Sequence, residues 1–189
     1  MTDRPLPRLV IVSGAPGTGK TTLAHALAEA LHLPLVVRDA IKEGMHVTVD
    51  SVDPAERGRF GADAFAVFYD VLGQLLQAGV SVVAEAAFHG DRASVDLAPL
   101  VDESRAVLIH CRVDDGLAAS RYLVRARAGT RHPAHDDAGV AAAMATGDFP
   151  WMLYEPPDID APCIDVDTTD GYEPDMVSLV GLIKSATER

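Results

Sequence analysis

Nine contiguous residues, Gly14, Ala15, Pro16, Gly17, Thr18, Gly19, Lys20, Thr21 and Thr22, contain the spacing G-x-x-x-x-G-K-[ST]. Each residue type has a task in binding a nucleoside triphosphate. The glycines let the backbone curl until its N–H groups face the phosphates, and a following helix turns its positive end to the same anion. Lys20 reaches the β- and γ-phosphates, and the Thr21 hydroxyl is a ligand for Mg²⁺. The chemistry this points to is ATP or GTP binding.

Further charge collects at positions that suit phosphoryl transfer. Asp39 and Lys42 follow the apolar stretch Leu35–Val37. Asp39 suits orienting or deprotonating an attacking hydroxyl, with helix capping as its plainer role. Lys42 lies one helical turn on, within reach of the same phosphate. Glu85 ends the apolar run Val82-Val83-Ala84, as expected of a carboxylate that holds Mg²⁺ through water. His89 follows in a Gly-containing loop.

Arg121, Arg125, Arg127 and Arg131 crowd into eleven positions. Phosphoryl transfer spreads negative charge over the transferring group, and mobile arginines in a closing lid stabilise it. The expected lid spans about 121–135, with Arg121 and Arg125 on one helix face and Arg127 and Arg131 toward the acceptor. Thr168, in the loop after Asp165–Asp167, is expected beside the nucleotide base. His46, Asp50, Phe149, Trp151 and Tyr154 are placed near the acceptor pocket, with core packing the plainer role for the aromatics.

These residues need a scaffold, and the apolar pattern supplies one. Strands are expected at 8–13, 35–38, 80–84, 107–111 and 163–166, all short and rich in β-branched residues. Helices are expected at 20–32, 54–78, 114–128, 136–146 and 174–184, with a weaker one at 93–103 and an irregular excursion at 44–54. Pro54 suits the first turn of a helix and Gly79 its end. Strands alternating with helices imply a parallel sheet with helices on both faces, an α/β sandwich.

The 189 residues fit one domain over 1–189. The formal net charge of −12 disfavours an unaided nucleic-acid binder. No apolar run reaches the roughly 18 residues of a spanning helix. Met1–Pro5 leads straight into a strand-like segment with no room for a signal peptide, so a cytoplasmic chain is expected. Cys111 and Cys163 lack metal spacing and are expected to be buried thiols.

With GAPGTGKTT at 14–22, RDAIK at 38–42, VVAEAAF at 82–88, R-x₃-R-x-R at 121–127 and DTTDGY at 167–172, the chain resembles a group of P-loop kinases. These are small-molecule and polynucleotide kinases related to polynucleotide 5′-kinase, chloramphenicol phosphotransferase and the zeta-toxin kinases. The resemblance implies a five-stranded parallel sheet in the order 2-3-1-4-5. It also implies that Asp39 orients the acceptor hydroxyl and that Arg121 and Arg125 are the lid arginines. Polynucleotide kinases carry an arginine where this chain has Lys42, which keeps a cation and loses the bidentate fork.

The expected activity is ATP- and Mg²⁺-dependent transfer of the γ-phosphoryl group to a hydroxyl of a small molecule, by a monomer or homodimer. The alternatives are a polynucleotide 5′-hydroxyl kinase and a nucleotide-binding regulatory module with little transfer.

Overall fold

A computed structural model describes residues 5–46, 54–129 and 132–188. Its centre is β1 (Arg8–Ser13), whose last five residues are buried. Such a strand must be covered on both faces, which is why it reads as an unbroken apolar run. It pairs in parallel with β3 (Val82–Glu85) on one side and β4 (Arg105–Arg112) on the other. β2 (Leu35–Val37) and β5 (Cys163–Asp167) complete five parallel strands in the order β2-β3-β1-β4-β5.

Alternate residues of each strand serve opposite faces. Leu9, Ile11, Val82, Ala84 and Leu108 pack with α3 (Pro54–Gln77) and α4 (Gly90–Asp102) through Phe68, Leu72 and Leu97. Val10, Val12, Val83, Val107 and Ile109 pack with α1 (Lys20–Leu31) and α7 (Met176–Ala186) through Leu23, Leu27, Leu179 and Ile183. Each such fully buried aliphatic side chain contributes roughly 1.5–3 kcal/mol. α5 (Asp115–Arg127) and α6 (Asp137–Thr146) form a separate small cluster on Tyr122, Met144 and Phe149.

Some boundaries differ from the sequence expectation. β3 starts at Val82 and includes Glu85, because Glu85 pairs with Val12. Residues 44–46 belong to α2 (Arg38–His46), not to an irregular excursion; residues 47–53, Asp50 among them, lie outside the described residues. Asp39 sits inside the first turn of α2 rather than at its cap. The weak helix begins earlier, at Gly90, and runs through Pro99. Cys111 is buried, but Cys163 is exposed. The reason is topological: β5 has a neighbour on one side only, and of its residues only Val166 is buried.

Candidate active site

The carboxyl ends of β1, β2 and β3 open into one crevice, beside the point between β1 and β3 where β1 connects one way to β2 and β3 the other way to β4. Parallel sheets bind ligands at such points. The loop 14–19 occupies this edge. Gly17 has φ +90°, and a Cβ there would collide with the Ala118 carbonyl. Gly14 has φ +140°, and a Cβ would lie 2.8 Å from the Cys111 carbonyl oxygen. Both glycines are therefore required by close backbone approach. Gly19 begins α1 without any side-chain cap. The first-turn amides of α1 are thus left for an anion.

Thr168 braces this loop. Its hydroxyl donates to the Thr18 carbonyl at 2.7 Å and the Arg112 carbonyl at 3.2 Å. Arg121 joins the same region, donating from Nη2 to the carbonyls of Thr168 and Thr169 at 2.9 Å each. Thr168 therefore holds the loop after β5 against the phosphate loop, and Arg121 ties the same loop to α5.

Lys20, Thr21 and Glu85 meet where β1 and β3 lie side by side. Lys20 Nζ is 4.0 Å from Glu85 Oε1, and the Thr21 hydroxyl donates to Glu85 Oε2 at 3.2 Å. Burial pushes the Glu85 carboxyl above its ordinary pKa, with the charge of Lys20 opposing. A hydroxyl and a carboxylate side by side are hard oxygen donors. They fit Mg²⁺, which takes one or two protein oxygens with nucleotide phosphates and water.

Asp39 faces them from α2. Burial raises its pKa, but the charges of His135, Arg38 and Lys20 and a hydrogen bond from Arg38 outweigh it and hold the carboxyl below its ordinary value. Asp39 is thus an ionised acceptor at neutral pH. Arg38 Nη1 lies 2.9 Å from Asp39 Oδ1, and Nη2 donates to the Gly61 carbonyl at 2.8 Å. The guanidinium lies over the Phe65 ring, 4.3 Å from its centroid. Among the described residues Arg38 Nε is buried with no hydrogen-bond partner.

A cavity of about 320 Å³ joins Lys20, Thr21, Arg38 and Asp39 but not Glu85, which lies behind Lys20 and Thr21. Its walls include Gly17, Gly19, Lys20, Thr21, Thr22, Arg38, Asp39, Lys42, His89, Arg125, His135 and Tyr154. A larger space of about 1220 Å³ shares Thr21, Thr22, Asp39 and Arg125 but has none of the loop glycines in its walls. The smaller cavity is therefore where phosphate chemistry is provided for.

Of the four clustered arginines, only Arg125 lines this cavity among the described residues. Arg127 is exposed, as Arg125 is, but does not line this cavity. Residues two apart on a helix do not share a face. Arg131 lies outside the described residues.

Sequence reasoning misses two contributors. Arg38 is visible beside Asp39, but its contacts to Gly61 and Phe65 are not. His135 has a buried side chain, with Nε2 2.8 Å from Glu43 Oε1 and Nδ1 4.0 Å from Asp39 Oδ2. The only signal for it is the stretch RHPAH at 131–135. His89 and Tyr154 also reach the cavity, their rings 4.8 Å apart. His46 packs edge-on against His132 at 5.2 Å. Phe149 is buried and stacks on Tyr154, with Trp151 against it.

Comparison with known proteins agrees with this geometry. A family model described as an AAA domain matches residues 9–150. An uncharacterized protein of Mycobacterium tuberculosis is 26% identical over 151 residues, 76% of this chain. The match covers 30% of that relative, so the chain spans about a third of its length. A solved structure from Chloroflexus aurantiacus, named a "putative kinase", is 32% identical, with a TM-score of 0.84 over 96% of this chain and 98% of that one.

A gluconokinase from Sinorhizobium meliloti is 17% identical, with a TM-score of 0.59 over 98% of this chain and 96% of that one. A shikimate kinase from Acinetobacter baumannii is 18% identical, with a TM-score of 0.52 over 98% and 97%. These last two share the fold. No helix among the described residues is long and apolar enough to cross a membrane.

Proposed function

The chain belongs to the AAA domain family of P-loop kinase-like proteins, and from that premise we propose that it is an ATP- and Mg²⁺-dependent kinase acting on a hydroxyl of a small molecule. One observation carries the reading. The phosphate loop with Lys20, Thr21, the ionised Asp39 and Arg125 line one cavity, and Glu85 lies against its Lys20 and Thr21.

In this reading the loop amides and Lys20 hold the β- and γ-phosphates. Thr21 and Glu85 hold Mg²⁺, which when bound neutralises charge between those phosphates. The acceptor hydroxyl donates a hydrogen bond to Asp39. Its oxygen forms a bond to the γ-phosphorus as the bond to the ADP oxygen breaks, and Asp39 receives the hydroxyl proton. Arg125 stabilises charge on the transferring group. Arg121 and Thr168 position the loop after β5, beside the nucleotide base.

The experiment is incubation with Mg·ATP and a panel of sugars, nucleosides, aminoglycosides, phenicols and 5′-hydroxyl oligonucleotides, followed by mass spectrometry. A gain of one phosphoryl group on a small acceptor supports the reading. A gain on the oligonucleotide alone makes the chain a polynucleotide kinase. Tight ATP binding with no phosphorylated product makes it a nucleotide-binding module.

A further inference from the structure

The cavity at Asp39 has a neighbour. Arg38, Phe65 and His89 also wall a second space, of about 260 Å³, completed by α3 and α4. Its α3 side is formed by Ala62, Phe65 and Tyr69, at i, i+3 and i+7, which share one helix face. Phe65 and Tyr69 stack with centroids 5.8 Å apart and planes at 25°. Both rings are only half-buried, while Phe68 on the neighbouring face is fully in the core. Ala93 of α4 leaves room opposite them.

The terminal nitrogens of Arg38 in this annexe are already engaged, while its buried Nε has no partner among the described residues. Arg38 directs both terminal nitrogens to Asp39 and Gly61, and its flat guanidinium covers Phe65. At the rim, Arg92 pairs with Asp96 at 3.5 Å. A sugar placed here would give up water from its hydroxyls against walls made largely by the Phe65 and Tyr69 rings and by Ala62 and Ala93, which is unfavourable. A flat hydrocarbon group would instead bury its surface against aromatic rings, which is favourable. The first cavity, by contrast, carries Lys20, Lys42, Arg125 and His135.

We propose that the annexe between α3 and α4 holds the apolar body of the phosphoryl acceptor, an aryl or similarly flat hydrocarbon group, whose hydroxyl reaches Asp39. This rests on the kinase reading above and narrows its substrate class. The acceptor is an alcohol with one polar, hydroxyl-bearing end and one apolar end.

Two matched acceptor pairs test it: glycerol with its monophenyl ether, and glucose with phenyl β-glucoside. Transfer from Mg·ATP is measured with the wild-type protein and with Ala62→Phe. Ala62 is exposed on α3, so the larger side chain fills the annexe without entering the core. The expected result is at least a tenfold higher kcat/KM for the phenyl members in the wild type. Ala62→Phe reduces that preference at least fivefold while ATP affinity stays within twofold. Equal or better transfer to the unsubstituted members, or a preference that survives Ala62→Phe, overturns the proposal and leaves the kinase reading standing.

Absence of transfer to all four acceptors by ATP-bound protein counts against the kinase reading itself. Saturation-transfer NMR with the phenyl ether then reads the annexe separately. A phenyl-ring signal present with wild type and abolished by Ala62→Phe supports the apolar subsite. A signal of equal strength with both proteins overturns it.

Discussion

His135 Nε2 lies 2.8 Å from Glu43 Oε1, joining the segment that follows α5 to α2 across 92 residues of sequence. The same ring stands 4.0 Å from Asp39. The segment between α5 and α6 is thereby fastened to the helix that carries Asp39.

His135→Ala is therefore expected to lower kcat for transfer about tenfold, on the order of one missing buried hydrogen bond of ~1–3 kcal/mol. The KM for ATP should change little. His135→Gln, whose amide can still donate to Glu43, should recover part of the loss. The His135 charge also holds the Asp39 pKa down. Removing it raises that pKa, so the acid limb of the pH–rate profile moves to higher pH in His135→Ala. Steady-state kinetics of both variants across pH check this, and an unmoved acid limb counts against it.

Arg125 lines the cavity, and Arg127, two residues on along the same helix, does not. Arg125→Ala should reduce kcat by about 10²-fold, the usual loss when a donor to developing phosphoryl charge is removed. Arg127→Ala should stay within twofold. The pair of rates measured side by side is decisive, because equal losses would assign both effects to general lid charge.

Glu85 links the site to stability. Burial raises its pKa in the folded state above the unfolded value. At neutral pH its ionised form therefore costs stability, and that cost fades as pH falls toward the unfolded pKa of about 4.3. Glu85→Gln lacks this dependence. The Tm of nucleotide-free wild type minus that of Glu85→Gln should become more positive as pH falls from 7 toward about 4.3. A difference constant across that range would mean that Glu85 does not favour its proton when folded.

Gly17→Ala probes the loop. The added methyl meets the Ala118 carbonyl in a backbone at φ +90°, so the loop must shift. A stability loss of roughly 1–3 kcal/mol by denaturant unfolding is expected, together with weaker ATP binding. ATP affinity within twofold of wild type would show that the loop tolerates the shift.

What can be read in the chain follows from the range of the interactions. The phosphate loop is legible because its chemistry is contiguous, and Glu85 because an apolar strand ending in one acid is a local signal. The strand order rests on the resemblance, since short apolar strands do not encode their neighbours. The end of α2 at 44–46 is hidden because Gly44 is a poor helix former, yet the helix is held by its packing on α3. The exposure of Cys163 depends on β5 being an edge strand, a property of topology. The His135–Glu43 contact and the Arg38–Gly61 contact are tertiary pairings with no sequence spacing of their own. That Arg127 does not share the cavity-facing side of Arg125, by contrast, is available from helix geometry alone.

The central claim is that Asp39 receives the acceptor hydroxyl beside a phosphate-filled loop. The most direct measurement is single-turnover transfer of a labelled γ-phosphoryl group from ATP to the acceptor by wild type and Asp39→Asn, with ATP affinity measured on the same samples. The account predicts ATP affinity within about twofold and transfer slowed by at least about 10²-fold, the scale of a missing general base. Transfer by Asp39→Asn within a few-fold of wild type would contradict it and leave Asp39 as a structural residue of α2.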